Sequence, residues 1–302
     1  MIGSNMLMII FGAGASYDSA ASKRAPGTPD LRDFPDRPPL ADYLFHPQDE
    51  FAQIAQHYPP MLSVIDRLRS RDSSVEAKLQ HFRDEADSYP ERYRQLAAVK
   101  FYLRDVLTWC SNNWNARVRG ATNLGPLLDD VKRRHAKRSM TEKVCLVTFN
   151  YDFLLESALN AMGEGFGLSE VDDYVGSKSI FNLFKLHGSV NWFRLTGTHT
   201  HDRAPGATQV IEHAAQLKMA DVIVGEGEAT RLRQTGSWLL PAIAIPVQTK
   251  GVFECPSSHI EELQAMIPNV TELLVVGWKG REAHFISMLS QGSKKGRKIH
   301  GD

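Results

Sequence analysis

Three short stretches of this chain hold the side chains best suited to chemistry. Thr148-Phe149-Asn150-Tyr151-Asp152 sets an amide and a carboxylate close together. Lys185-Leu186-His187-Gly188-Ser189 places a histidine before a glycine, and Gly12-Ala13-Gly14-Ala15-Ser16 is a glycine-rich turn. A histidine titrates near neutrality and can move a proton, while an amide and a carboxylate can hold hydroxyls or a carboxamide. Glycine backbone can approach a phosphate closely and offer it N–H groups. Each stretch also has a plainer reading. Asn150 could cap a helix and Asp152 complement its dipole. A single histidine often does no more than hold its surroundings, and many α/β chains open with a glycine turn that binds nothing.

Position relative to the surrounding elements tips the balance. Val144-Cys145-Leu146-Val147 is short, apolar and rich in β-branched residues, the pattern of a buried parallel strand, and Phe153 to Leu159 follows with helical spacing. Asn150 and Asp152 therefore stand where a strand hands over to a helix, the edge at which open α/β sheets bind ligands. Met6 to Phe11 reads as a first buried strand running into Gly12. Phe181 to Trp192 reads as a strand that ends in His187-Gly188-Ser189 on that same edge. Thr271 to Gly277 reads as the last buried strand, and Trp278 to Glu282 turns it into a helix over Ala283 to Leu289. The fold class is thus α/β, Rossmann-like and doubly wound, with a mainly parallel sheet. The fingerprint G-x-G-x-x-G is incomplete, because Tyr17 takes the third glycine position. No acidic residue closes a clean second strand about 20 residues on, which argues against a dehydrogenase.

Residues 41–138 read as helical throughout, a large insert in the α/β frame. Leu62, Ile65 and Leu68 recur at helical spacing after Pro59-Pro60, and Ser73 with Glu76 fits a capping box ahead of Val75, Leu79 and Phe82. A longer helix runs from Tyr93 through Leu96, Lys100, Leu103 and Leu107 to Cys110. Thr122-Asn123 opens the last one, which ends in Lys132-Arg133-Arg134, read as a solvated face beside a helix C-terminus. Trp109 and Trp114 are assigned to the core. Residues 18–40 form a polar, proline-rich loop long enough to suggest function or disorder. Thr198-His199-Thr200-His201-Asp202 looks like a ligand cluster, but no second group stands at zinc spacing, so it reads as a polar loop. Short strands are expected at Asp221 to Val224 and Pro241 to Pro246, and a frayed basic tail from Lys294 to Asp302.

Bulk composition narrows the class. With 302 residues, 42% of them hydrophobic and 23% charged, the chain can bury the core of one large α/β domain or two small ones. Lys plus Arg and Asp plus Glu balance at 35 each, so no global field recruits nucleic acid or a membrane surface. There is no apolar run of roughly 18 residues, and the opening MIGSNMLMII lacks the pattern of a signal peptide. Cys110, Cys145 and Cys255 form no C-x-x-C pair. That argues for a reducing cytoplasm and against a structural zinc site.

Taken together, GAGAS (12–16), TFNYD (148–152), KLHGS (185–189) and GWKGRE (277–282) resemble the sirtuin-like superfamily, across residues 6–290 of one domain. The resemblance implies NAD+ as substrate. It implies that the first turn, with Gly12, Ala13, Gly14 and Ser16, binds the pyrophosphate. Asn150 and Asp152 would line the nicotinamide-ribose pocket beside Thr148 and Phe149. His187 would be the catalytic base, flanked by Gly188 and Ser189, and Gly277 with Trp278 would complete the NAD+ site. Gly27 to Arg32 is similar to the G-x-P-D-F-R loop that covers the nicotinamide, which would add Asp30 and Arg32; it lies further from the first motif than in the deacylases. The four-cysteine zinc module of the deacylases is missing, and the helical insert stands in its place. That pattern looks like the branch that hydrolyses NAD+, often in bacterial anti-phage defence. Family members usually add another strand and further domains after the last motif. The resemblance therefore leaves open a fragment of a longer protein, and implies a homo-oligomer or an assembly with a partner.

The residues permit that chemistry. Nicotinamide leaves as a neutral ring while positive charge builds on the ribose, so an enzyme must hold the sugar, shield the cation and direct one nucleophile. Asn150 can bind a ribose hydroxyl or a water, Asp152 can accept from the carboxamide, and His187 can take the proton. Three readings follow: an NAD+ hydrolase, a deacylase or ADP-ribosyl transferase on the same scaffold, and a module that binds NAD+ or ADP-ribose without cleaving it.

Overall fold

The first strand of the chain, β1 (Met6–Phe11), runs through the middle of a four-stranded parallel sheet in a computed structural model. The structure describes residues 6–20, 34–70, 72–137, 143–165, 170–176, 178–198, 206–247 and 253–292. Asp30, Arg32 and the loop around them, His199 to Asp202, and the tail from Lys294 lie outside the described residues.

On one side β1 pairs with β2 (Val144–Thr148), which pairs in turn with β3 (Phe181–Lys185). On the other it pairs with β7 (Val270–Val276), giving the order β3-β2-β1-β7. Registers bring the strand ends level: Phe11 faces Thr148 and Val276, and Thr148 faces Lys185. All four following turns thus leave from one edge. Helices flank the sheet, as the Rossmann-like α/β reading expects. They are α1 (Ala13–Tyr17), α6 (Leu124–Lys137), α7 (Leu154–Ala161), α10 (Ser257–Met266) and α11 (Ala283–Gly292), while α8 (Ala207–Glu212) and α9 (Glu226–Gln234) pack against the strands that follow β3.

The strand expected to end in His187-Gly188-Ser189 stops just before them, and the rest of Phe181 to Trp192 belongs to a second strand in a second sheet. β3 stops at Lys185, Leu186 and His187 make a turn, and β4 (Gly188–Thr198) starts a second sheet with β5 (Ile223–Gly225) and β6 (Ser237–Ile243). This sheet is antiparallel, in the order β5-β4-β6. Gly188 makes the change of sheet possible. Its φ is +84°, and a Cβ there would lie 1.8 Å from the Ala242 carbonyl oxygen. Pro241, expected to bound a strand, instead lies within β6 opposite Phe193.

The insert comprises a 3-10 turn at Ala41–Tyr43 and α2 (Asp49–Gln56), α3 (Pro59–Arg69), α4 (Val75–Asp84), α5 (Glu91–Arg117) and α6, separated by loops rather than helical throughout. Its 27-residue α5 is about 40 Å long at 1.5 Å per residue. Ser74, not Ser73, caps α4, its hydroxyl accepting from the Ala77 N–H at 3.2 Å. In α3 the buried stripe is Met61, Val64, Ile65 and Leu68, and Leu62 faces solvent. Trp114 is core, and Trp109 packs half-buried against Phe51.

Among the described residues, two large hydrophobic clusters result, with a small third of Phe193, Val224, Ala229 and Leu239. One surrounds the parallel sheet; the other joins α2 to α5 with Val190, Trp238, Leu240 and Ile243 of the antiparallel sheet. The strand β7, expected to be buried, is an edge strand: Leu274 and Val275 are each 37% exposed. Its apolar sequence therefore reports pairing with β1 on one side and not enclosure on both.

Candidate active site

Above the aligned strand ends lies a cavity of about 790 Å³ between the two clusters. Gly12, Ala13, Gly14, Ser16, Phe149, Asn150, Asp152, His187, Gly277 and Trp278 line it from the sheet side. Pro38 to Leu44, Ser74, Glu76 and Leu107 line it from the insert side. Its size falls within the roughly 300–1,000 Å³ of small-molecule and cofactor pockets.

The glycines of the first turn answer to a backbone contact. Gly12 N–H donates to the Val276 carbonyl at 3.0 Å and Gly14 N–H to the Gly277 carbonyl at 3.1 Å. A Cβ on Gly12 would stand 2.5 Å from the Gly277 oxygen, and one on Gly277 only 2.3 Å from the Ala15 nitrogen. Two turns from opposite ends of the chain thus touch main chain to main chain. That contact brings Trp278 over the cavity, its ring stacked on Phe149 at 5.5 Å and 15°. The Trp278 Nε1 donates to Glu282, which fixes the ring from its outer edge.

Asn150 is held from the same turn. Its Nδ2 donates to the Gly12 carbonyl and to Ser16 Oγ, both at 2.9 Å. A carbonyl can only accept, so this geometry settles which amide atom is nitrogen. With both amide hydrogens directed inward, Oδ1 is the atom with which Asn150 can accept from a ribose hydroxyl or a water. Asp152 takes the capping part: its Oδ1 accepts from the Leu154 N–H at 3.1 Å and opens α7. Thr148 lies beneath the turn, its Oγ1 accepting from the Asn150 N–H at 3.1 Å.

A charged pair that sequence reasoning missed underlies this turn. Lys185 and Glu156 are both fully buried, with Nζ 2.7 Å from Oε1, and Lys185 also donates to the Asp152 carbonyl. Tyr174 donates to Glu156 at 3.2 Å, and Asn191 donates to Tyr174 at 3.2 Å. Burial pushes the Glu156 carboxyl above the usual carboxylate range, and the neighbouring Lys185 opposes the shift. A signal was present: Lys185 ends a short buried strand, and Glu156 falls on the buried face of α7.

His187 is buried at the cavity wall, its ring 4.8 Å from Phe149 and 6.3 Å from Tyr151 between centroids. Its carbonyl accepts from the Ala244 N–H at 2.9 Å, and the Leu186 carbonyl accepts from the Glu254 N–H at 2.9 Å. Tyr151 donates to the Ala244 carbonyl at 2.8 Å. Gly188 and Ser189 do not line the cavity: Gly188 abuts Ala242, and Ser189 Oγ bonds Asn191 at 2.5 Å behind the wall. Glu76 and Arg281, paired across the cavity at 3.7 Å, were not anticipated.

Gly12, Asn150, Asp152, His187 and Trp278, taken from four separate turns, therefore face one space. An acceptor amide, a carboxylate and a histidine beside an aromatic slab can hold a sugar and a planar ring and remove a proton. The chain matches no protein-family model and no curated protein.

Proposed function

We propose that this protein is an NAD+ hydrolase that cleaves the nicotinamide–ribose bond, releasing nicotinamide and ADP-ribose. The observation that carries the reading is the convergence of Asn150, Asp152, His187 and the Gly12–Gly277 contact on one cavity. The C1′–N bond breaks with its electron pair going to the nicotinamide nitrogen, and water forms the new bond to C1′. His187 takes the water's proton, directly or through a ribose hydroxyl. Asn150 Oδ1 orients the hydroxyl or the water, and Asp152 accepts from the carboxamide. Phe149 and Trp278 form the apolar wall that shields the cationic sugar from bulk water. Resemblance alone supports the wider role: depletion of cytoplasmic NAD+ in anti-phage defence, with further copies or a partner protein.

The test is purified protein incubated with NAD+ and assayed for nicotinamide. His187→Ala should lower release by roughly 10²–10⁴ while melting temperature and NAD+ binding hold. Asn150→Ala should cost a similar factor, and the double variant little more, because both serve one transition state. A folded His187→Ala protein that cleaves NAD+ at the parent rate ends the proposal. Cleavage only in the presence of an acylated peptide would favour the deacylase, and binding without cleavage the sensing module.

A further inference from the structure

Beside the large cavity lies a niche of about 10 Å³, room for one water molecule. Ser16, Asn150 and Asp152 line both spaces and so stand between them, while Thr148 lines the niche only. Leu124 at the start of α6 and Leu155 in α7 give the niche apolar walls. The four polar residues are all buried, Asn150 the most accessible of them at 9%.

Their hydrogen bonds leave a matched remainder. Asn150 engages Ser16 and Thr148 as acceptors, its Nδ2 donating to Ser16 Oγ at 2.9 Å and its N–H to Thr148 Oγ1 at 3.1 Å. Each hydroxyl therefore keeps its own hydrogen to give. Among the described residues neither hydrogen has an acceptor, and a buried polar hydrogen left without one is costly. The Leu154 N–H engages Oδ1 of Asp152 at 3.1 Å, and Oδ2 keeps its lone pairs. Two donors and a carboxylate oxygen thus border a space the size of one water, and a buried water typically makes about three hydrogen bonds.

We infer that the niche is a binding site for a single water, which accepts from the Ser16 and Thr148 hydroxyls and donates to Asp152 Oδ2, and that this water positions the Asp152 carboxylate. With Oδ1 tied to the Leu154 N–H and Oδ2 to the water, the carboxylate is held in one rotamer. Its remaining lone pairs then meet a ligand in the large cavity from a fixed place. The water site stands independently of the reaction; its effect on the carboxamide contact rests on the hydrolase reading.

A crystal structure of the full chain tests the site directly. An ordered water should lie roughly 2.5–3.0 Å from Ser16 Oγ, Thr148 Oγ1 and Asp152 Oδ2. Leu124→Phe, which fills the niche from an apolar wall, should displace it; Leu155→Phe does the same if the first variant fails to fold. In the filled variant nicotinamide should bind several-fold more weakly by calorimetry while ADP-ribose binds as before. A general loosening of the fold would weaken both. No ordered water in the parent, a water bonded to none of the three atoms, or unchanged nicotinamide binding in a folded, filled variant overturns the inference. A parent that holds the water but releases no nicotinamide from NAD+ keeps this site and loses the hydrolase reading. One that releases nicotinamide yet holds no water there loses this site alone.

Discussion

Asn150 directs both amide hydrogens to acceptors of the first turn, and that makes it sensitive to one atom. Asn150→Asp puts a carboxylate oxygen where Nδ2 sits, 2.9 Å from the Gly12 carbonyl oxygen. At neutral pH two acceptors then face each other, and unfolding free energy should fall by about 1–3 kcal/mol. The loss should shrink in acid, where the new carboxyl is protonated and can donate; urea unfolding at both pH values checks it. His259 offers a second residue-scale forecast. Its Nε2 bonds the Val171 carbonyl at 3.1 Å, so Nδ1 would become a buried N–H on protonation, and burial lowers its pKa from 6.5 to about 4. The unfolded chain binds this proton from pH 6.5 downward while the folded one does not until about 4. Stability from this group is therefore full above 6.5, falls with decreasing pH, and is down by about 2 kcal/mol at pH 5. Urea midpoints of the parent and His259→Gln should diverge at pH 7 and converge toward pH 5. At this scale the sequence named candidate side chains and not what they bond. The amide of Asn150 and the hydroxyl of Ser16 are equally suited to a ligand and to each other, and only the approach of two distant turns decides between them.

The turn at Asn150–Asp152 rests on the Lys185–Glu156 pair, which joins β3 to α7. Lys185→Met leaves a buried carboxylate beside an apolar side chain and should cost about 3–5 kcal/mol. Lys185→Met with Glu156→Met should recover most of that, since no charge then remains to be solvated. A double variant no more stable than the single one would show that the pair's other bonds, to Asp152 and Tyr174, dominate. The turn after β7 gives a matched comparison. Gly280 has φ +65° with nothing near its Cβ position, so Gly280→Ala should cost about 1–2 kcal/mol for backbone conformation alone. Gly277 has φ +63°, and its Cβ would also strike the Ala15 nitrogen. Gly277→Ala should therefore cost 1–3 kcal/mol more, roughly an overpacking penalty, and should shift Trp278. Denaturation curves read the first effect and Trp fluorescence the second. Apolar runs foretold β1 and β2 because a doubly buried parallel strand has no polar positions to confuse the pattern. That logic placed the end of β3 near His187 and reached no further: composition cannot reveal that the chain enters a second sheet at Gly188. It failed at β7, where the apolar run Leu273 to Val276 lies on an edge strand.

At the scale of the molecule, the candidate site is a seam between two hydrophobic clusters, one built on the parallel sheet and one on the helical insert. Among the described residues no helix is long and apolar enough to cross a membrane. The order of elements along the chain foretold the parallel sheet and the common edge of its turns. It did not foretell that β4, β5 and β6 pair as an antiparallel sheet, since β5 has only 3 residues and β6 contains Pro241.

Because β1 is central and its second neighbour, β7, is the last strand among the described residues, synthesis runs against assembly. As the chain leaves the ribosome, β1 can pair with β2 early, but its other edge stays open until β7 emerges. At roughly 5–20 residues per second that interval is on the order of ten seconds. For that time a strand of six apolar residues, Met6 to Phe11, lacks one of its two partners, the condition under which chains mispair or recruit chaperones. Chains arrested before residue 270 should be cut by protease near β1, and chains arrested after α11 has cleared the exit tunnel should resist. Equal resistance in the shorter chains would show that something other than β7 shields the edge. The Gly12–Gly277 contact, and with it the cavity, forms only once β7 and the turn after it have emerged. A chain arrested before residue 270 lacks the turn that closes one wall of this cavity.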